Sequence, residues 1–331
     1  MFVPGPKTHA GCSIAVLLLV LSLVAAPSAA QSVDSQVHVL PRSASASYTP
    51  SGRLPTFQRD VDLVLVNVTV LDRFNRAVTG LSRKDFSLLE DRQPQTIKYL
   101  SSDDQPLSLA IVLDASASMA PRLQQARKAV LDLVRTSNPA DDISLVIVGD
   151  LPKVAFGFND PIDTLPSTVE ALRAEGRTAL WDAMVLSLDQ LKHAHYPRRA
   201  MVVISDGGDN RSVYTESELK SILDEADVQV YAVGLFDRFP RRNEERSGPL
   251  ELDELTSTTG GRLLSVHDAD ELCRAVQQIN LELRNEYVIG YVPSEVSRDG
   301  RWHSIKVGVK APSADGKVRL YARKGYFGSA E

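Results

Sequence analysis

The amino-acid sequence predicts an α/β fold: a doubly wound, mainly parallel six-stranded sheet inserted in a small β-sandwich-like module. Three observations support this fold class. Strand and helix patterns alternate between residues 106 and 286, as expected for a sheet with helices on both faces. Short apolar runs rich in β-branched residues, such as Leu109–Leu113, are typical of buried parallel strands. Strand patterns without intervening helices lie on both sides, in residues 58–105 and 287–328.

The first 57 residues predict a signal peptide and a linker. The run Ile14–Ala26 is almost entirely apolar, follows the basic Lys7 and precedes small residues. This pattern indicates a secretory signal peptide over residues 1–30, with cleavage before Gln31. The apolar run is too short for a comfortable membrane span, so we expect no membrane span after cleavage. The alternative is that the segment is not cleaved and anchors the protein. Residues 31–57 are rich in Ser, Pro, Gln and Ala and predict a flexible linker.

Two β segments flank the α/β part. Residues 58–105 contain a long strand pattern from Val61 to Leu71 and two shorter patterns, and residues 287–328 contain three more. Because three strands rarely form an independent core, we expect the two segments to pair into one module. The predicted shorter strands are Phe86–Glu90 and Thr96–Leu100 in the first segment, and Tyr287–Tyr291, Ser304–Lys310 and Val318–Ala322 in the second.

The α/β part, residues 106–286, alternates strands with helices. Apolar residues at helical spacing, such as Leu123 and Ala126, indicate the first helix. The connection between Ile143–Val148 and Val154–Phe158 is too short for a helix, so these strands predict an antiparallel hairpin at one edge. The other predicted strands are Leu109–Leu113, Ala200–Ile204, Val228–Leu235 and Arg262–Ser265. The predicted helices are Leu123–Thr136, Thr164–Ala174, Leu180–His193, Glu216–Glu225, Glu251–Thr256 and Ala269–Glu286.

The composition is that of an ordinary globular protein. The 331 residues are 43% hydrophobic and 24% charged. The formal net charge of −5 becomes −6 without residues 1–30, which hold one basic residue and no acid. This mild acidity gives no reason to expect a nucleic-acid partner. Cys12 would leave with the signal peptide, so the remaining Cys273 forms no internal disulfide.

Oxygen-bearing side chains follow two of the predicted strands and precede one helix. Asp114, Ser116 and Ser118 follow the first strand of the α/β part, Asp206 follows a later one, and Thr178 lies in a loop before a helix. Because ligands of open α/β sheets bind at the carboxyl ends of the strands, we expect these side chains to converge there. Carboxylate and hydroxyl oxygens are hard ligands suited to Mg²⁺. The alternative is that the serines cap a helix and Asp206 lies in a turn.

These three pieces resemble the metal-ion-dependent adhesion site of von Willebrand factor type A (VWA) domains, in which Asp-x-Ser-x-Ser is followed by a loop threonine and a strand-end aspartate. By this resemblance Ser116 and Ser118 would bind the metal directly. Thr178 and Asp206 would bind it directly or through water, and Asp114 would act mainly through water and hydrogen bonds to the serines. The resemblance implies a VWA, Rossmann-like fold, Mg²⁺ (or Mn²⁺ or Ca²⁺) as cofactor, and a protein partner that supplies an acidic side chain to the metal.

The whole layout is also similar to a secreted bacterial family of VWA-related proteins that is abundant in Acidobacteria. The similarity lies in Leu81–Phe86, Asp114–Met119 and Arg323–Phe327. It implies a secreted or periplasmic protein of the bacterial cell envelope and little about function. One departure from the adhesion site is Ala117, where VWA domains often have glycine; its methyl group restricts the loop backbone, but no ligand is missing.

Loops around the predicted site carry candidate contact residues for a partner. Trp181 and Tyr214 are aromatic, a residue type that is enriched at binding hot spots. For Trp181 the alternative is packing against the sheet. Arg177 lies next to the loop threonine and is suited either to an incoming carboxylate or to solvent.

We expect a binding protein and not an enzyme. The sequence has no Gly-x-Ser-x-Gly elbow, and His193 and His195 have no acidic or cysteine partner at zinc-ligand spacing. The loop after Leu109–Leu113 lacks the glycines of a phosphate cradle. Two alternatives stay open: a scaffold with a non-functional metal site, and a hydrolase that uses Asp206 and Asp209 as paired acids. The sequence leaves the oligomeric state open.

Overall fold

The structure, a computed structural model, describes residues 63–236, 243–293, 299–310 and 318–328. The described strands are β1 (Val64–Leu71), β2 (Phe86–Glu90), β3 (Gln93–Gln95), β4 (Ile97–Ser101), β5 (Ser108–Asp114), β6 (Asp142–Val148), β7 (Lys153–Phe156), β8 (Arg199–Ser205), β9 (Gln229–Leu235), β10 (Leu263–Val266), β11 (Tyr287–Tyr291), β12 (Trp302–Val309), β13 (Arg319–Ala322) and β14 (Gly325–Phe327). The described α-helices are α1 (Leu123–Thr136), α2 (Leu165–Ala171), α3 (Leu180–Lys192), α4 (Glu216–Glu225), α5 (Asn243–Thr259) and α6 (Ala269–Arg284). The predicted signal peptide and linker, residues 1–57, lie outside the described residues. None of the described helices is long and apolar enough to cross a membrane.

Six of the described strands form the central sheet, in the order β10-β9-β8-β5-β6-β7. Neighbours are parallel except for the β6–β7 pair, which is an antiparallel hairpin. Every residue of β5 is buried, because its side chains alternate between two cores. Leu109, Ile111 and Leu113 pack on one face with α1, α2 and α6, whereas Ala110 and Val112 pack on the other with α3, α4 and α5. The predicted doubly wound, mainly parallel sheet is therefore confirmed.

Two antiparallel sheets, each built from four of the described strands, form the β module. Their orders are β13-β1-β11-β4 and β14-β12-β2-β3, so each sheet combines strands from before and after the α/β part. Val66 and Ile289 of one sheet share a buried core with Phe86 and Ile305 of the other. This arrangement agrees with insertion of the α/β part in a β-sandwich-like module. The bounds of the individual segments stay predictions.

Several element bounds differ from the predicted ones. The sequence does not predict β3 and β14, because alternation is not visible in three residues. Helix α5 was expected at Glu251–Thr256 but spans Asn243–Thr259. Gly248 and Pro249 are typical of a helix break. However, Gly248 lies so near the loop after β8 that an added Cβ would be 2.2 Å from the carbonyl oxygen of Gly207. The glycine thus permits close packing of α5 against this loop.

A buried ion pair joins the α/β part to the β module. Glu286, between α6 and β11, accepts a hydrogen bond from Arg198 Nη2 at 2.9 Å and one from Thr69 Oγ1 of β1 at 3.4 Å. Burial raises the pKa of Glu286, and the adjacent Arg198 opposes this shift. Arg198 also donates hydrogen bonds to the carbonyl oxygens of Gln105 and Leu283. The two charged side chains therefore connect segments that are distant in sequence.

We expect Arg198→Met to lower the free energy of unfolding by about 3–5 kcal/mol, because the Glu286 carboxylate would stay buried without its cation. Urea unfolding followed by circular dichroism measures this change. The double variant R198M/E286Q should recover part of the loss, since it removes the unpaired charge. A double variant less stable than R198M would contradict this explanation.

Candidate metal centre

The predicted ligands lie at the carboxyl edge of the central sheet. The parallel neighbours β5 and β8 end at Asp114 and Ser205. They continue into the loops 115–122 and 206–215, and the loop 172–179 between α2 and α3 is hydrogen-bonded to both. This is the edge at which open α/β sheets bind ligands.

The Asp114 carboxylate lies beneath these loops and is 0% exposed. Its Oδ1 accepts a hydrogen bond from the backbone nitrogen of Ser116 at 2.9 Å, and its Oδ2 accepts one from Ser205 Oγ at 2.6 Å. Burial raises the pKa of Asp114, and the hydrogen bonds from Ser205 and Ser116 oppose this shift. Asp114 thus orients the serine loop against the end of β8. Its indirect role toward a metal stays a prediction.

Three of the predicted ligands are in direct contact. Ser116 Oγ and Ser118 Oγ are 3.0 Å apart, and Ser118 Oγ donates a hydrogen bond to Asp206 Oδ1 at 3.1 Å. Ser116 is buried, whereas Ser118 is exposed. The three side chains therefore lie together where the interior meets the surface, and we call Ser116, Ser118 and Asp206 the oxygen cluster.

Thr178 is held through its backbone by the loop that carries Asp206. Its nitrogen donates to Asn210 Oδ1 at 3.1 Å, and its carbonyl oxygen accepts from the Asn210 nitrogen at 3.0 Å. In the same loop, the Gly176 carbonyl oxygen accepts a hydrogen bond from the nitrogen of Ala117 at 3.0 Å. The structure thus brings together the three loops that carry the predicted ligands. The described contacts include no hydrogen bond from the Thr178 hydroxyl to the cluster.

Asp209 has a structural role in the site that the sequence does not reveal. Its Oδ1 accepts a hydrogen bond from the backbone nitrogen of Leu180 at 2.8 Å and one from Ser212 Oγ at 2.5 Å. Ala179, the residue before α3, provides no side-chain cap. Asp209 therefore accepts a hydrogen bond from the first backbone N–H of α3 from another loop. In return, Asp182 in the first turn of α3 accepts hydrogen bonds from the loop 206–215. A cap from 29 residues away leaves no local signal in the sequence.

The loops at this edge of the sheet expose apolar side chains. Val213 is 86% exposed, and Tyr214 and Leu151 are also exposed. Trp181, in contrast, is buried in the core beneath α3. It therefore packs in the interior and is not available to contact a partner. Tyr214 stays a candidate contact residue.

The donor atoms of the oxygen cluster fit a hard divalent cation. The cluster offers two hydroxyl oxygens and one carboxylate, above the buried carboxylate of Asp114. Such oxygens suit Mg²⁺ or a similar ion. Among the described residues, no three His, Cys, Asp or Glu side chains are grouped to hold a metal. A cation at this edge would therefore depend on serine and threonine hydroxyls in addition to the aspartates.

Comparison with protein families assigns the central part of the chain. Residues 109–208 match the family model of the von Willebrand factor type A domain. The chain contains a VWA domain. The match extends from β5 to the start of the loop after β8, so it includes every predicted metal ligand. The relation to the acidobacterial family stays a prediction. A search of curated proteins found no match.

Solved structures also resemble the VWA domain at low identity. A von Willebrand factor type A protein from Catenulispora acidiphila is 12% identical, with a TM-score of 0.47 over 83% of this chain and 75% of that one. Proximal thread matrix protein 1 from the mussel byssus, with a zinc-occupied adhesion-site motif, is 18% identical, with a TM-score of 0.45 over 59% of this chain and 49% of that one. An aerotolerance-related membrane protein from Bacteroides fragilis is 20% identical, with a TM-score of 0.41 over 54% of this chain and 98% of that one. At these values the likenesses carry no information on what this chain binds.

We expect Asp209→Ala to lower the free energy of unfolding by about 1–2 kcal/mol, because the start of α3 would lose its cap. Asp189→Ala is the matched control, since Asp189 lies on the exposed face of the same helix and is 3.7 Å from Lys192; it should cost less than about 0.5 kcal/mol. Urea unfolding of both variants checks this. Equal stability of the two variants would show that Asp209 does not support α3.

Proposed function

We propose that the protein is a non-enzymatic binding protein of the bacterial cell envelope, secreted or periplasmic, whose VWA domain recognises a protein partner through a divalent cation. The observation that carries this proposal is the oxygen cluster at the carboxyl edge of the central sheet, above the buried Asp114. Hydroxyl and carboxylate oxygens from two loops converge there although 88 residues separate Ser118 from Asp206. Capping of one helix by the serines would not require this convergence.

The cation proposed for the site is Mg²⁺, with Mn²⁺ or Ca²⁺ as alternatives. Ser116, Ser118 and Asp206 would hold it, with Thr178 beside them. A bound Mg²⁺ usually keeps water or an open position, so it would supply a place for one further oxygen ligand. We infer that an acidic side chain of the partner provides that oxygen. The chain's own residues then contribute orientation, because Asp114 and Asp209 fix the loops that carry the ligands.

The exposed rim supports a protein as the partner. Val213 and Tyr214 expose apolar surface on the loop that carries Asp206, and Leu151 exposes it on the loop after β6, at the same edge of the sheet. An acidic group on the metal would fix the position of a partner, and apolar contacts around it would add affinity and specificity. Secretion is proposed from the signal-peptide pattern of residues 1–30.

One observation favours a second candidate, a scaffold without a working metal site. Arg122 Nη1 lies 3.7 Å from Asp206 Oδ2, so a cationic side chain already partners this carboxylate. In a scaffold, this ion pair would replace the metal. The scaffold would keep its partner in the presence of a chelator, whereas the metal-dependent binding protein would release it.

The proposal is tested by thermal unfolding in Mg²⁺, in Mn²⁺ and in chelator. The wild-type protein should gain about 2.7 kcal/mol of stability at a cation concentration one hundred times the dissociation constant. Asp206→Ala should lose this gain, and the control Asp189→Ala should keep it. Identical unfolding in cation and in chelator would refute a metal site.

The partner is tested by capture from cell-envelope extracts on the immobilised wild-type protein. A protein that is retained in Mg²⁺, released by chelator and not retained by D206A would be the expected partner. Retention that persists in chelator and on D206A would instead support the scaffold.

A further inference from the structure

A positively charged residue lies directly beside the oxygen cluster. Arg122 follows the serine loop and immediately precedes α1. Its Nη1 is 3.7 Å from Asp206 Oδ2, whereas Asp206 Oδ1 accepts the hydrogen bond from Ser118. The two oxygens of the Asp206 carboxylate therefore face different partners, the Ser118 hydroxyl on one side and the Arg122 guanidinium on the other. Both side chains are partly buried, at 27% exposure for Arg122 and 12% for Asp206.

The position of Arg122 is unfavourable for the helix that it precedes. It occupies the N-cap of α1 and makes no capping hydrogen bond, and the first turn of α1 contains no acidic residue. Ser, Thr, Asp and Asn are preferred at an N-cap, and the positive end of the helix dipole repels a cation. A residue that violates a local preference in this way is expected where function compensates for it. The contact with Asp206 is one interaction that compensates for this position.

We propose that Arg122 is a built-in competitor of the divalent cation for Asp206. The proposal rests on the function proposed above, because it concerns the same site. A guanidinium beside Asp206 offsets the negative charge that attracts a cation and repels the cation directly. Because the pair is partly buried, solvent and salt screen this repulsion only in part. Arg122 thus gives the site a weak affinity for the cation alone.

Weak affinity makes occupancy depend on the partner. A carboxylate that arrives at the site is attracted by both the cation and the guanidinium. Once it offsets the charge of Arg122, the cation is bound more firmly, and the cation in turn strengthens binding of the carboxylate. The geometry therefore favours a site that is filled by cation and acidic partner together.

Calorimetric titration of the purified protein with Mn²⁺ tests the competition. Arg122→Gln should bind Mn²⁺ roughly tenfold more tightly than the wild type. Arg122→Lys keeps the charge and should bind like the wild type. Arg122→Asn is a second neutral variant that supplies a preferred N-cap, and it should also bind more tightly. Melting of each variant in chelator verifies that it is folded.

The matched control is Arg135→Gln in the last turn of α1. It removes one positive charge at the opposite end of α1 from Arg122, and Arg135 is paired with Asp132 at 3.2 Å. Its distance from the site is about 20 Å, beyond the screening length of about 8–10 Å at ordinary salt. We therefore expect R135Q to bind like the wild type.

The outcomes distinguish the role of Arg122 from the metal site itself. If the wild type binds Mn²⁺ and both R122Q and R122N bind it equally well or more weakly, the role of Arg122 is overturned and the metal site stays in place. An equal gain in R135Q would also overturn it, since net charge alone would then explain the effect. Absence of binding in the wild type and all neutral variants would overturn both proposals. Binding by the neutral variants alone would support the competition in its strongest form.

Discussion

The buried carboxylate of Asp114 is the constraint on which the rest of the site depends. A carboxylate without solvent is tolerated only when hydrogen bonds satisfy it, and here both oxygens have a donor, one from Ser205 and one from Ser116. The hydrogen bonds to Asp114 fix both the end of β8 and the loop after β5. The end of β8 is held beside the end of β5, and the chain after Asp114 turns so that Ser116 and Ser118 stand over it.

The remaining loops are positioned by mutual hydrogen bonds and close backbone packing. Asp209 and Asp182 join the loop after β8 to the start of α3, and Asn210 holds the backbone of Thr178. Gly207 has a positive φ of 104° and lies against Gly248 of α5, so this loop is confined from two sides. The position of Asp206 is thereby linked to the sheet, to α3 and to α5. This explains how side chains distant in sequence can form one oxygen cluster.

Features that repeat along the sequence were predictable, and features that depend on contacts between distant segments were not. The buried strand β5, the β6–β7 hairpin, and the bounds of β2 and β11 follow from apolar periodicity and turn spacing. Strands as short as β3 carry no visible period, and the start of α5 is hidden by a glycine that close packing requires. Within the site, the sequence indicates which side chains are suited to a metal. It does not reveal the cap supplied by Asp209 or the ion pair between Arg122 and Asp206, because neither pair is close in sequence.

The central claim is that the oxygen cluster binds a divalent cation. The most direct test is a crystal structure of the protein grown with Mn²⁺, in which anomalous scattering locates the ion. We expect a peak at roughly 2.0–2.3 Å from Ser116 Oγ, Ser118 Oγ or an Asp206 oxygen. Mn²⁺ at other positions only, or no peak at a saturating concentration, would contradict the claim.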